Sequence, residues 1–176
     1  MKIRDMVFCA LFAALTAVAA QILLPLPFTP IPVSMALLLP MLAGRFLGFK
    51  RGVISQLLYV LLGLLGLPVF ASMRSGAGVL FGPTGGYIIG YIITAAVCGL
   101  AWKNDKGSFW KGALSMLLGA AGCYLCGTVW YIALTQTGFL AALMACVVPF
   151  LPGEAVKIVA GAYLVKKVEP IFKNWA

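Results

Sequence analysis

The sequence predicts an all-α integral membrane protein, a bundle of six transmembrane helices with both termini in the cytoplasm. Of its 176 residues, 63% are hydrophobic and 10% are charged, whereas a soluble domain averages about 45–50% apolar and about 25% charged residues. Apolar segments alternate along the chain with short polar stretches or stretches rich in proline and glycine. The length suits one bundle, so we expect residues 1–176 to form a single domain.

The first predicted helix covers about Ile3–Leu24. Its apolar run Met6–Leu24 is about 19 residues long, which exceeds the 7–15 apolar residues of a cleavable secretory signal. We therefore expect this segment to remain as the first span. Ala10 and Ala14 lie four residues apart, and small residues at this spacing let helices approach closely in lipid. Packing within the chain is the alternative role for these alanines.

Four prolines in residues 25–32 exclude a continuous helix after the first span. Helix 2 is predicted over about Val33–Phe49 with a kink at Pro40, and helix 3 over about Gly52–Leu65. A basic turn separates these two helices and holds Arg45, Lys50 and Arg51.

Seven glycines fall within residues 66–90. Such density predicts a shaped loop with tight turns or a close backbone approach to a ligand. Irregular backbone at membrane depth lines a cavity or is buried in protein. Arg74 is the only charged residue of the stretch. Pro83 suits the first turn of helix 4, which is predicted over about Thr84–Trp102.

The last two predicted spans are helix 5, about Gly112–Thr135, and helix 6, about Gly153–Val165. A polar turn with Lys103, Asp105, Lys106 and Lys111 precedes helix 5. Small residues in helix 5 form a row for close packing: Gly119, Cys123 and Gly127. The apolar stretch 138–148 is too short for a span and predicts an irregular cap or a partial helix.

The basic residues indicate the orientation of the bundle. With six spans, eleven of the 13 lysines and arginines fall at the termini and connections of one side, and Arg74 alone falls on the other. The positive-inside rule places the basic side in the cytoplasm. The proline loop 25–32, the glycine loop 66–82 and the segment 136–150 then face outward.

Glu154 and Lys157 are opposite charges that share one face of helix 6, because they lie three residues apart. A charge at bilayer depth costs about 2.5–3.5 kcal/mol on insertion scales, so it usually faces a partner, a pathway or a ligand. The pair lies on the outward side, where the three charge-poor loops converge. The sequence therefore predicts an outward-facing ligand pocket. A structural pair that ties helix 6 into the bundle is the alternative.

Several classes of function find no support in the sequence. The chain has no histidine, which removes the commonest metal ligand and acid–base group. Cys123 and Cys126 lack a second pair that would complete a zinc site, and residues 44–50 lack the P-loop spacing. We expect no metal, no cofactor and no nucleic-acid partner. One carboxylate, one or two cations and several aromatic residues suit a small, mostly apolar ligand.

Three motifs make the resemblance to a family specific. Gly66-Leu67-Pro68-Val69-Phe70, Gly82-Pro83-Thr84-Gly85-Gly86-Tyr87, and Pro149-Phe150-Leu151-Pro152-Gly153-Glu154 followed by Lys157 resemble the BioY family, the biotin-specific substrate-binding (S) subunits of energy-coupling factor (ECF) transporters. The resemblance covers nearly the whole chain. Two departures from the family pattern are Glu154, where Asp is usual, and Pro32-Val33-Ser34-Met35-Ala36, where Pro-Ile-Thr-x-Gln is common.

The resemblance implies a non-enzymatic subunit in the cytoplasmic membrane of a prokaryote that captures biotin with high affinity from outside for uptake. It implies that the protein works together with two ATPase subunits and with a shared transmembrane ECF subunit. Ala10 and Ala14 would contact this transmembrane subunit. The resemblance also implies that the subunit tips over in the membrane to release biotin.

The chemistry of biotin suggests residue roles within this resemblance. Glu154 accepts from a urea N–H, and Lys157 donates to the urea carbonyl or to the carboxylate. Arg74 meets the valerate carboxylate at the mouth. Candidate wall residues are Phe70, Thr84, Tyr87 and Trp130. The alternatives are a subunit for another vitamin, a stand-alone carrier, or a membrane-embedded enzyme with Glu154 as general base.

Overall fold

A computed structural model describes residues 2–24, 33–101 and 108–173, and confirms the predicted all-helical class. Two two-residue strands, β1 Leu23–Leu24 and β2 Val33–Ser34, pair antiparallel with Leu23 opposite Ser34. Short 3₁₀ turns occur at Ala71–Met73 and Val148–Phe150. The helices are α1 Ile3–Gln21, α2 Leu38–Leu64, α3 Ala77–Leu80, α4 Gly85–Ala101, α5 Phe109–Thr135, α6 Phe139–Cys146 and α7 Leu151–Lys173.

Within the described residues, four segments are long and apolar enough to cross a membrane: Ile3–Gln21, Leu38–Leu64, Phe109–Thr135 and Phe139–Val168. Helix α4 is a shorter apolar helix. The predicted proline loop 25–32 and the polar residues Lys103, Asp105 and Lys106 lie outside the described residues.

Helix α2 is a helical hairpin that turns at Gly48. The backbone of Gly48 is non-helical, with φ 78° and ψ 179°. A Cβ built on Gly52 would lie 3.0 Å from the Cα of Gly44, whereas eight residues of continuous helix span about 12 Å. The two halves therefore pack against each other. Counted separately, they give the described part of the chain six longer helical segments: α1, the two halves of α2, α4, α5 and α7. The predicted kink at Pro40 is wrong, because Pro40 lies in the first turn, which tolerates proline.

Small residues bring the central helices into close contact. A Cβ on Gly44 would lie 2.8 Å from the Cβ of Cys98 in α4, and one on Gly99 would lie 2.8 Å from the backbone carbon of Gly48. Between α4 and α5, a Cβ on Gly90 would lie 2.9 Å from the Cα of Cys123. The small-residue row predicted in α5 is confirmed as a helix–helix contact.

The end of the bundle with the basic residues holds a buried arginine and an ion pair. Arg45 is 0% exposed inside α2, so its predicted place in a basic turn is wrong: the turn lies three residues later, at Gly48. Arg51 pairs with Asp5 of α1 at 3.3 Å. This pair fixes the start of α1 to the second half of the hairpin. The side of the membrane that this end faces remains a prediction.

The glycine loop is irregular, as predicted. Gly66 and Gly76 have φ of 97° and 87°, and Ser72 and Met73 also have positive φ. Pro83 precedes α4 rather than occupying its first turn, because the carbonyl of Thr84 accepts the first helical hydrogen bonds. The stretch 138–148 forms the short helix α6, which confirms the partial helix.

Candidate functional site

Two adjacent cavities lie between the glycine loop and helices α2, α4, α5 and α7. They share three lining residues: Ser34, Tyr87 and Tyr91. The larger, about 140 Å³, lies under the glycine loop. The smaller, about 60 Å³, reaches Lys157 of the charged pair in α7. The geometry thus brings the glycine loop and the pair to one composite pocket.

Lys157 and Glu154 form a buried ion pair, with side chains that are each 5% exposed. The Lys157 ammonium lies 2.7 Å from Glu154 Oε2 and donates to the backbone oxygen of Ser34 at 3.1 Å. The hydroxyl of Tyr124 donates to the same Oε2 at 2.9 Å. Burial of two charges is tolerable when each has its partner and further hydrogen bonds, and this arrangement supplies them. Among the described residues, Glu154 Oε1 has no hydrogen-bond partner.

The two charges face different spaces. Lys157 lines the smaller cavity together with Tyr124. Glu154 lines an apolar groove of about 470 Å³ between α5, α6 and α7, and Tyr124 lines both. The pair with Tyr124 therefore forms the wall between the cavity and the groove. Glu154 therefore contacts the smaller cavity only through Lys157 and Tyr124, to which its Oε2 is bound.

Aromatic rings line the composite pocket. Tyr87 and Tyr124 meet edge to face at a centroid distance of 6.1 Å, and Tyr124 lies 6.2 Å from Phe150. Tyr59 meets Phe70 edge to face at 5.6 Å. Aromatic side chains combine a large apolar face with, in tyrosine, a polar tip. Such a wall suits a ligand with an apolar ring and a few polar atoms.

The structure brings most of the predicted site residues together. Phe70, Arg74, Thr84 and Tyr87 line the larger cavity. Phe70 is 1% exposed and fills the space beside Gly63, so it is a packed wall, whereas Arg74 is exposed at the loop.

Trp130 lies apart from the described lining of the pocket. Its indole N–H donates to the backbone oxygen of Gly82 at 3.0 Å, and its Cβ lies against Gly86. It holds the start of α4 in place, and thereby supports the segment that carries Thr84 and Tyr87.

Among the lining residues that sequence reasoning missed are Ser34, Tyr59, Tyr91 and Tyr124. Tyr91 follows Tyr87 by four residues and so shares its helix face, a signal that was available. Tyr124 adjoins Cys123 of the small-residue row, but its contact with Glu154 depends on how α5 meets α7. Ser34 belongs to the stretch 32–36 that was compared with the family pattern, whereas Tyr59 carries no local signal of a site.

Ala10 and Ala14 are exposed on α1, next to the exposed Val7 and Leu11. The neighbouring Ala13 is fully buried. The Ala10–Ala14 motif thus lies on the outer face of the described bundle, which leaves it accessible to lipid or to another helix.

A bundle of membrane helices around a small pocket with aromatic and charged walls is typical of a membrane-embedded subunit that binds a small molecule. The chain belongs to the BioY family, whose profile matches residues 1–174. This confirms the resemblance carried by the three motifs.

Similar proteins match along nearly their whole length. The "Probable biotin transporter BioY" of Pyrococcus horikoshii is 36% identical over 169 residues, with 96% of this chain and 98% of the relative covered. The "Biotin transporter BioY" of Thermotoga maritima is 34% identical over 168 residues, with coverage of 96% and 97%. Among solved structures, the S-component for biotin from an ECF-type ABC transporter superposes with a TM-score of 0.87 at 26% identity, with 96% of this chain and 92% of that chain covered.

Proposed function

We propose that this protein captures biotin with high affinity and takes part in its uptake as the substrate-binding subunit of an ECF-type ABC transporter. The observation that carries the proposal is the composite pocket, which joins the buried Lys157–Glu154 pair to Arg74 under the glycine loop. The fold and family of the relatives named biotin transporters support the choice of ligand.

The chemistry of biotin matches the groups around the pocket. Its cyclic urea has two N–H donors and one carbonyl acceptor, its thioether ring is apolar, and its valerate chain ends in a carboxylate. Lys157 donates to the carbonyl or to the carboxylate, and Glu154 Oε1 accepts from a urea N–H once the wall shifts. Each hydrogen bond to a charged group contributes about 1.5–3 kcal/mol.

The aromatic wall and the mouth complete the proposed recognition. Tyr87, Tyr91 and Tyr124 offer faces to the thioether ring and hydroxyls to the urea. Arg74, exposed at the rim of the larger cavity, attracts the valerate carboxylate. Thr84 at the start of α4 adds a hydroxyl to the same wall.

The proposed partners are the transmembrane subunit of the ECF module and two ATPase subunits. The sequence has no P-loop, so the energy for uptake comes from elsewhere. The exposed Ala10–Ala14 face of α1 fits a helix of the transmembrane subunit, because small residues permit close approach. We place the protein in the cytoplasmic membrane of a prokaryote as a multi-pass, non-enzymatic domain over residues 1–176 that tips over to release biotin.

Equilibrium binding of labelled biotin to the purified protein tests this function, with mass analysis of the recovered ligand. We expect saturable binding, displacement by unlabelled biotin and recovery of unmodified biotin. Stronger displacement by another vitamin would reassign the ligand, and recovery of altered biotin would indicate an enzyme.

A further inference from the structure

Gln21, the last residue of α1, binds three backbone groups of the glycine loop. Its Nε2 donates to the carbonyl oxygen of Phe70 at 3.0 Å and to that of Val69 at 3.4 Å. Its Oε1 accepts from the backbone N–H of Met73 at 2.9 Å. We name this set of hydrogen bonds the Gln21 clamp. One side chain of α1 thus fixes both ends of a five-residue turn.

The clamped turn is strained. Ser72 and Met73 are consecutive non-glycine residues with φ of 59° and 56°, in the left-handed region that side chains with a Cβ disfavour. Such residues persist where the surroundings over-determine them, and they cluster at ligand sites. Within the turn, the Phe70 N–H also donates to the carbonyl oxygen of Arg74 at 3.0 Å. The clamp and this bond together hold Ser72 and Met73 in their left-handed conformation.

The strained conformation decides which side chains reach the pocket. Ser72 and Arg74 flank Met73, and both line the larger cavity. Met73 itself is 64% exposed and lies outside that lining. A relaxed backbone at residues 72 and 73 would turn the following residue, Arg74, in another direction. The position of the guanidinium therefore depends on the clamp.

We propose that Gln21 is a positioning residue for ligand capture, which holds residues 69–73 in the conformation that presents Ser72 and Arg74 to the pocket. The identity of the ligand rests on the proposed function, but the clamp itself does not. Because Gln21 belongs to α1, a displacement of α1 relative to the loop would loosen the clamp. The two sides of this linkage are reciprocal: a ligand that favours the ordered loop also favours the clamped position of α1.

Two variants of Gln21 test the proposal against one control. Gln21→Ala removes the three hydrogen bonds of the clamp, together with the bond from Nε2 to the carbonyl oxygen of Ala17 within α1. Gln21→Glu keeps the size of the side chain and the acceptor for Met73, but it sets a carboxylate oxygen against the carbonyls of Phe70 and Val69. It therefore separates the loss of the donor from the loss of packing in the alanine variant. The control is Gln136→Ala, which removes a glutamine from the end of α5 whose side-chain amide donates within its own turn, to Ala133.

We expect both Gln21 variants to weaken biotin binding about tenfold, the loss of roughly one net hydrogen bond to a charged ligand. Without ligand, hydrogen exchange at the amide of Met73 should be faster in Gln21→Ala than in the parent, because its acceptor is gone. Gln136→Ala should match the parent in both measurements.

A second substitution separates positioning from general stability. Glycine adopts positive φ readily, so Met73→Gly in the Gln21→Ala background should recover part of the lost affinity. A variant that had only lost stability would lose more with a second substitution. Parental affinity in folded Gln21→Ala, or unchanged exchange at Met73, would overturn the proposal. If the parent itself does not bind biotin, the proposed function fails, and the exchange measurement still decides on the clamp.

Discussion

The ammonium of Lys157 donates to the backbone oxygen of Ser34 at 3.1 Å, across 123 positions of the chain. The contact joins α7 to the segment before the α2 hairpin, and the same ammonium lines the smaller cavity. Lys157 thus contributes both to the fold and to the site. Variants of the pair therefore need separate measurements of stability and of affinity for the folded fraction.

Lys157→Ala and Glu154→Gln should each weaken biotin binding by about 10- to 150-fold, because each removes a charge-assisted hydrogen bond worth about 1.5–3 kcal/mol. Titration of the folded fraction with labelled biotin measures the effect, and thermal unfolding without ligand provides the control. A purely structural pair would lower the thermal stability while the affinity stayed near the parental value. If both variants fold and bind as the parent does, the site assignment is wrong.

Glu154→Asp introduces the residue that the resemblance to the family leads us to expect at this position. The shorter side chain pulls the carboxylate away from Lys157 and the hydroxyl of Tyr124, which now lie 2.7 and 2.9 Å from it. We expect binding to persist, because charge and hydrogen-bonding capacity are unchanged, with a shift in affinity below that of Glu154→Gln. A dissociation constant equal to that of Glu154→Gln would show that the length of this side chain matters as much as its charge.

Tyr124→Phe should weaken biotin binding several-fold and lower the thermal stability by about 1–3 kcal/mol, since the hydrogen bond that it removes goes to a buried charge. Tyr131→Phe is the matched control, because Tyr131 lies two turns later in α5 and outside the described pocket lining. Parallel titrations and melts of the two variants give the comparison. Equal effects of the two would remove Tyr124 from the site.

Tryptophan at both Ala10 and Ala14 should abolish uptake by the assembled transporter and leave biotin binding by the isolated subunit intact. The reason is steric, because the bulk fills a close helix contact on an exposed face. Leu118→Trp, on the exposed face of α5, controls for bulk in the membrane. An equal loss of binding and uptake would mean that the alanines pack inside the subunit.

A reporter fused after Ala176 should be active only in its cytoplasmic form, because the basic residues cluster on the side of the termini. Fusions at Arg74 should report the opposite side. An external signal from the C-terminal fusion would overturn the predicted orientation.

Local features of the sequence predicted much of the fold and part of the site. Apolar length identified the spans, and the density of glycine identified the loop between residues 66 and 82, because both depend on neighbouring residues. The charged pair was evident for the same reason: three residues of helix bring Glu154 and Lys157 to one face.

Other features depend on contacts between distant segments, and these were missed or misplaced. The sequence predicted a turn beside Arg45 and a kink at Pro40. In the structure the helix α2 turns at Gly48 instead, where the hairpin packs tightly against Gly99. Trp130 was assigned to the pocket, yet its indole N–H reaches Gly82. The contact of Tyr124 with Glu154 requires the rotation of α5, which no local pattern fixes.

The close packing around Gly48 has a consequence for the path of the ligand. Beyond the pocket, side chains that are 0–7% exposed fill the described bundle, among them Met41, Phe46, Cys98 and Met116. Among the described residues, the pocket therefore has a closely packed floor on the side away from the glycine loop. Since this floor blocks a path straight through the bundle, we expect delivery of a bound ligand to require that the glycine-loop side itself changes compartments.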